Sequence, residues 1–402
     1  MKNTAQPFAR PLYVMLKPAG AACNLDCKYC YYSEKEKLRS GHTVMTNELL
    51  EHFTREYIAA QTMRQVLFTW HGGEPLLRPL SFYQRAMELQ QKYANGRDID
   101  NCIQTNGTLL TDEWCRFFKE NGWLVGISID GTEKMHNAFR HYKTTETASF
   151  SGVMKGIELL KKHEVEWNAM STINRFNVDY PLEFYHFFKE IGCRYLQFTP
   201  IVERTCSHTD GRTLAHIGDP AGLPLTPYSV QPENWGTFLN TLFDDWIQHD
   251  IGETFIQLFE ATLAAWVGVP PGICSLAPTC GHAAVMEANG DVYSCDHFVF
   301  PEYHLGNIRQ NSLVEMLYGK TQTDFGRRKQ SRLPKQCRSC RFLFTCYGEC
   351  PKNRFLYTQD GEYGLNYLCE GYHRFFSHSA PYMEKMKQMI LAGESLGNMK
   401  II

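Results

Sequence analysis

The sequence predicts an α/β protein in which six parallel strands alternate with helices and a cysteine-rich second domain follows. Three observations carry this. Short apolar runs ending mostly in Gly, Pro or Asn alternate with helical patterns through the first half of the chain. Polar, glycine-rich loops follow five of those runs, where parallel α/β folds build their sites. Of the 15 cysteines, most fall in two clusters, at 23–30 and 274–369.

The first strand, Leu12–Lys17, leads into Cys23-Asn-Leu-Asp-Cys27-Lys-Tyr-Cys30. The second, Gln65–Trp70, ends in His71-Gly72-Gly73-Glu74-Pro75, and Phe82, Ala86, Leu89 and Tyr93 then share one helical face. The third, Ile99–Gln104, runs into Thr105-Asn106-Gly107. The next helix is bracketed by Thr111-Asp112-Glu113 and Asn121-Gly122. The fourth, Leu124–Ile129, runs into Asp130-Gly131, and Val153, Ile157 and Leu160 line the helix after it. Glu166–Ile173 runs into Asn174-Arg175, and Arg194–Thr199 is the sixth. Such units imply right-handed crossovers. Six fall short of a closed barrel's eight, leaving an open partial barrel or a six-stranded open sheet. The loops favour the barrel: one is ordinary turn chemistry, five together make a site.

From Cys206 to Pro232 the chain turns rich in Gly, Pro and Thr, which reads as a linker or excursion. It divides a first domain, 1–233, from a second, 234–402. Helices are expected near Asn234–His249, with Trp235, Phe238, Leu242 and Trp246 on one face, and near Glu253–Val267. Val285–Glu287 and Val292–Cys295 flank Asn289-Gly290, a hairpin signal. A final helix is expected from about Tyr372.

Lysine and arginine total 41 against 43 acids, a net charge of −2, which argues against nucleic acid as the main partner. No apolar run is long enough for a membrane span: Phe255–Val269 contains Gln257 and Glu260. The opening residues lack the apolar core of a secretory signal, so a cytoplasmic location is expected. In that reducing compartment clustered thiols suggest metal rather than disulfides. Cys102, Cys115, Cys193 and Cys206 are scattered singly and read as small apolar residues.

Cys23, Cys27 and Cys30 place three thiols on one loop. Iron–sulfur clusters normally take four thiolates, so three leave one iron free for another ligand. The plain alternative is zinc completed by a remote residue. C-x3-C-x2-C with Tyr29 before the last cysteine, followed by Gly72-Gly73-Glu74-Pro75 after the next strand, resembles the radical SAM superfamily. The resemblance implies a partial (β/α)6, TIM-like barrel with a [4Fe–4S] cluster on these three cysteines. The open iron would chelate S-adenosylmethionine (SAM), whose reductive cleavage yields a 5′-deoxyadenosyl radical. It also implies that Tyr29, Gly73, Ser128, Arg140 and Val202 line the SAM site. The glycines are expected to let backbone approach the ligand closely.

Eight further cysteines make two sets of four, for which a pair of zinc ribbons is the plain alternative. Cys337-x2-Cys340-x5-Cys346-x3-Cys350, with outlying cysteines on both sides, resembles a SPASM domain carrying two auxiliary [4Fe–4S] clusters. That resemblance implies one cluster on Cys274, Cys280, Cys295 and Cys350, and another on Cys337, Cys340, Cys346 and Cys369. With the first, three clusters are expected in all.

From Leu12 to past Cys369 the chain most resembles the anaerobic sulfatase-maturating enzymes. Lys17-Pro18, Gln104-Thr-Asn-Gly-Thr108, Ser128-Ile-Asp-Gly131 and Ser294-Cys-Asp296 carry this likeness, and His71 departs from it where some members have Gln. The family oxidises a Cys or Ser in a sulfatase Cys/Ser-x-Pro-x-Arg motif to Cα-formylglycine. The implied partners are an unfolded or nascent sulfatase chain and an electron donor such as flavodoxin or ferredoxin, and the implied state is a monomer. The resemblance makes Asp296 the base that takes the thiol or hydroxyl proton. Two rivals are a SPASM enzyme cross-linking a ribosomal peptide, usually with a recognition domain before the barrel, and a non-enzymatic zinc scaffold or electron carrier. The few residues before the first strand count against the former, and the three-cysteine loop beside Gly-Gly-Glu-Pro counts against the latter.

Overall fold

The computed structural model describes residues 12–32, 35, 44–206, 214–216 and 218–399. Residues 1–11, where no secretory signal is expected, and residues 207–213 and 217 of the expected linker lie outside the described residues.

The six expected strands form, with ends shifted by a residue or two. β1 (Val14–Leu16), β2 (Gln65–Trp70), β3 (Asp98–Thr105), β4 (Leu124–Ser128), β5 (Trp167–Ile173) and β6 (Tyr195–Pro200) pair in parallel in sequence order. Their apolar centres drive this: Leu16, Phe68, Trp70, Val125, Ile127 and Ala169 are fully buried. Trp70 stacks on Trp123 at 6.2 Å between ring centres. Its indole N–H is satisfied by Asn101 Oδ1 at 2.9 Å, and the Asn101 amide by Gln90 Oε1 at 2.8 Å. The helices lie down by their expected faces, with Phe82, Ala86 and Leu89 buried, and Val153, Ile157 and Leu160 as well. Thr111 caps the Asp112–Glu120 helix, its hydroxyl accepting from the Trp114 N–H at 3.3 Å.

The sheet is larger than the sequence predicts. β7 (Phe255–Ile256) pairs in parallel with β6, so the helix expected from Glu253 begins instead at Gln257. Phe255 stacks on Tyr195 at 5.1 Å and its N–H donates to the Arg194 carbonyl, a cross-strand pairing that holds the segment extended. At the other edge the predicted hairpin forms from β8 (Ala284–Met286) and β9 (Asp291–Tyr293), joined by β10 (His304–Asn307). β8 pairs in parallel with β1, so one ten-stranded sheet runs from the barrel into the cysteine-rich segment. Its edges, β10 and β7, do not pair with each other, and the barrel stays open.

The expected linker is tied down where it is described: Arg204 donates to the carbonyls of His216, Asp219 and Pro220. The last helix, Cys369–Leu391, begins three residues earlier than expected and packs on Pro232–His249. Gly236 and Gly371 permit this approach, since a Cβ on Gly371 would stand 2.4 Å from the Pro232 carbonyl oxygen. Gly371→Ala is therefore expected to cost about 1–3 kcal/mol through overpacking. It should also lower iron content, because it displaces the helix that starts at Cys369; denaturant unfolding and iron analysis check both. Among the described residues no helix is long and apolar enough to cross a membrane.

Candidate active site

The three-cysteine loop leaves the carboxyl end of β1 and is anchored to the segment after β4. The Asp26 and Lys28 N–H groups donate to the carbonyls of His141 and Phe139 at 2.9 and 3.0 Å. Burial pushes the Cys27 thiol up to about 12; Arg140 opposes, while Cys30 and Cys23 add to the rise. Cys23 is pushed up to about 11, by burial and then by Glu74. Three half-buried thiols that hinder one another's ionisation suit a cationic centre that would deprotonate them. The Leu25 N–H and the Asn106 amide point at Cys23 Sγ, at 3.4 and 3.8 Å.

The glycines after β2 make room for a neighbouring segment of backbone. A Cβ on Gly73 would stand 2.1 Å from the Ala22 carbonyl oxygen, and one on Gly72 2.9 Å from that of Gly20. The Gly73 and Glu74 N–H groups donate to the Gly20 and Ala22 carbonyls at 2.9 and 2.7 Å. The close approach is thus to the backbone leading into Cys23. Glu74 is fully buried and accepts from Thr105 Oγ1, the Asn106 N–H and the Leu76 N–H at 2.7–2.9 Å. It fastens the ends of β2 and β3 together around the loop.

Tyr29 and Arg140 come into contact. Arg140 donates to the Tyr29 hydroxyl at 3.0 Å, and that hydroxyl donates to Asp130 Oδ2. Asp130, at the end of β4, is fully buried and also accepts from the Thr172 N–H at 2.9 Å. Arg140 is 6% exposed, so it is no solvated surface residue, and its Nε is buried without a hydrogen-bond partner. Burial disfavours its charge, but Tyr29, Cys27 and Asp130 around it hold it protonated. Ser128 accepts from the Gln104 amide at 3.0 Å. Val202, buried after β6, has its carbonyl taken by Lys352 Nζ at 3.1 Å. Tyr29 lies in the loop after β1, Ser128 closes β4 with Asp130 and Arg140 beyond it, and Val202 follows β6. The unpartnered Nε of Arg140, whose charge bears on Cys23 and Cys27, fits an anionic group such as the SAM carboxylate.

Asp296 directly follows Cys295 and is met from the opposite side of the site. Lys17 Nζ, wholly buried at the end of β1, lies 2.5 Å from Asp296 Oδ1, an ion pair without hydrogen-bond alignment. The hydroxyl of Tyr31, the residue after Cys30, donates to Asp296 Oδ2. Burial pushes Asp296 up, but the groups around it, Lys17 first, together hold the carboxyl well below its ordinary range. His71 and His297 are each lowered to about 4 by burial and then by a lysine, Lys17 for the former and Lys352 for the latter. Both imidazoles are therefore neutral at neutral pH, and Lys17 is the cation that keeps Asp296 ionised.

The eight distal thiols gather into two groups. Burial raises Cys350 far above the usual thiol range; Glu349 adds to this, then Cys280, Cys274 and Cys295. Cys369 is raised to about 12 by burial, then by Cys337 and Cys340. Cys346 is raised to about 12 by burial, then by Cys369. Cys337, Cys340, Cys346 and Cys369 line one cavity of about 240 Å³ together with Glu349 and Tyr372. Buried space walled by four thiols fits a cluster. The sequence motifs contain Lys17, Glu74 and Asp130 but assign them no role, and Tyr31 receives none either. Their available signal was position alone, at a strand end or beside a cysteine.

Residues 18–188 match the radical SAM superfamily model, and residues 279–341 match an iron-sulfur cluster-binding domain, SPASM. The chain is 61% identical to a serine-type anaerobic sulfatase-maturating enzyme of Bacteroides thetaiotaomicron, over 98% of this chain and 96% of that one. It is 31% identical to a cysteine-type enzyme of Clostridium perfringens, over 92% and 97%. A solved structure, native anSMEcpe with bound AdoMet and the Cp18Cys peptide, superposes with a TM-score of 0.82 at 30% identity, covering 94% of this chain and 99% of that one. The radical SAM and SPASM modules imply [4Fe–4S] clusters, and ribosomal-peptide cross-linking is not the favoured reading. Matched almost end to end at that identity, this chain belongs to the anaerobic sulfatase-maturating enzymes of the radical SAM superfamily.

Proposed function

We propose that this enzyme oxidises the serine of a Ser-x-Pro-x-Arg motif in an unfolded sulfatase to Cα-formylglycine. The observation that carries the reading is the placement of Asp296, a half-buried carboxylate touched by the residue after Cys30 and itself following Cys295. When bound, SAM and a cluster on Cys23, Cys27 and Cys30 supply the radical that takes a hydrogen from the target Cβ. Asp296, kept ionised by Lys17, accepts the hydroxyl proton, and Tyr31 orients the carboxylate. Glu74 and the Gly-Gly turn hold the cysteine loop, and Arg140, Tyr29, Ser128, Gly73 and Val202 line the SAM pocket. Cys274, Cys280, Cys295 and Cys350, the set adjoining Asp296, would hold a cluster able to take up the second electron, and Cys337, Cys340, Cys346 and Cys369 would hold a third. The serine preference rests on the likeness to the serine-type relative. Residues 1–233 form the radical-bearing domain and 234–402 the auxiliary one. A monomer in the cytoplasm, reduced by an electron donor such as flavodoxin or ferredoxin, completes the reading.

The test is anaerobic incubation with SAM, a reductant and two peptides differing only in Ser-x-Pro-x-Arg or Cys-x-Pro-x-Arg. Formylglycine in the serine peptide is expected. Conversion confined to the cysteine peptide reverses the preference, and conversion of neither removes the reading.

A further inference from the structure

Lys329, on the helix Lys320–Ser331, is 1% exposed. Its ammonium donates to two carbonyls, Cys274 O at 2.7 Å and Ser275 O at 2.6 Å. Both acceptors are neutral, so no carboxylate in that contact cancels its charge. Burying an ammonium costs several kcal/mol unless nearby negative charge compensates. Here the groups that favour the charge are Cys280, Glu349 and Cys350, while burial and Arg354 oppose it.

The cation is not shared evenly between the two distal thiol groups. Lys329 acts on Cys274 and Cys280 of the first. In the second, Cys369 faces Glu370 and Cys346 faces Glu349. Arg354 acts on Cys280 and also on Cys337, so it does not discriminate, and Glu349 likewise bears on both groups. Arg338 also bears on Cys337, but it is exposed and screened by solvent, and Asp296, which bears on Cys295, is offset by Lys17; Lys329 is the buried cation that bears on the first group. Reduction adds an electron, and a fixed positive charge in a low-dielectric interior stabilises the reduced form.

We propose that Lys329 raises the reduction potential of the cluster on Cys274, Cys280, Cys295 and Cys350 above that of its neighbour, selecting it to accept the electron released from the substrate. This rests on the functional reading above and assigns Lys329 as a positioning residue for charge rather than a group that touches substrate.

The test is a potentiometric titration of the iron-loaded enzyme followed by electron paramagnetic resonance, without substrate. Lys329→Gln removes the charge but keeps two N–H donors for the carbonyls. Its expected effect is a fall of about 59 mV or more in one auxiliary potential, a tenfold change in a one-electron equilibrium. The other two potentials should hold. Unchanged potentials at full iron content, or an equal fall in both auxiliary clusters, overturn the proposal. If the Gln variant loses iron, Lys329→Arg decides: a potential near wild type supports a role for charge, and a tenfold shift overturns it. Formylglycine formation by the wild-type enzyme is scored separately, so failure of the functional reading is not confused with failure of the electrostatic one.

Discussion

Replacing Cys23, Cys27 and Cys30 together by Ala abolishes SAM cleavage and leaves roughly eight irons per chain, the content of two four-iron clusters. The expectation follows from the separation of the thiols into groups. Cys23 and Cys27 interact with Cys30 and Arg140, whereas the distal thiols interact among themselves. Removing one set therefore leaves the ligands of the others intact. The loop's backbone is also held independently, by the Gly20 and Ala22 carbonyls and by His141 and Phe139, so the variant should fold. Iron analysis and deoxyadenosine quantified in one preparation decide the matter. Continued deoxyadenosine production refutes the assignment of these cysteines.

Asp296→Asn separates the two half-reactions. General-base contributions are typically ~10²–10⁴-fold, so formylglycine formation should fall by at least about a hundredfold. SAM cleavage needs no proton acceptor on the substrate, so deoxyadenosine should continue and iron stay at the wild-type level. The substitution carries a stability cost of its own. Lys17 is wholly buried against this carboxylate, and breaking a buried ion pair by removing one partner costs roughly 3–5 kcal/mol. The variant should unfold at lower denaturant and be assayed well below its midpoint. A carboxylate that merely braced the cluster would lower iron and both products together. Formylglycine at the wild-type rate with full iron would remove Asp296 from the mechanism.

The six-stranded core was legible because each strand is buried on both faces and reads as a short apolar run between turn residues. What was missed lies at the edges. Phe255–Ile256 is two residues long, inside a helical-looking run, and becomes a strand only because Tyr195 and Arg194 stand beside it. The Asn289-Gly290 hairpin was visible locally, but no local signal could say that Ala284–Met286 pairs with β1, more than 250 residues away.

In the candidate site, the cysteine loop was legible from its spacing. The grouping of the distal thiols came from family likeness alone, since nothing in their order shows that Cys350 faces Cys280 rather than its sequence neighbour Cys346. The packing of Gly73 against the Ala22 carbonyl had no sequence signal beyond the glycine itself, because the partner lies some fifty residues earlier. Lys17 could not be weighed from sequence, because its partner Asp296 is supplied by the other half of the chain.

The central claim is that the hydrogen removed by the SAM-derived radical comes from Cβ of the target serine. The direct measurement uses a Ser-x-Pro-x-Arg peptide deuterated at that carbon, incubated anaerobically with the reduced enzyme and SAM. The account predicts deoxyadenosine carrying one deuterium, matched mole for mole by a peptide aldehyde retaining the other. Deoxyadenosine free of deuterium beside a converted peptide would contradict it, and so would labelled deoxyadenosine with no aldehyde formed.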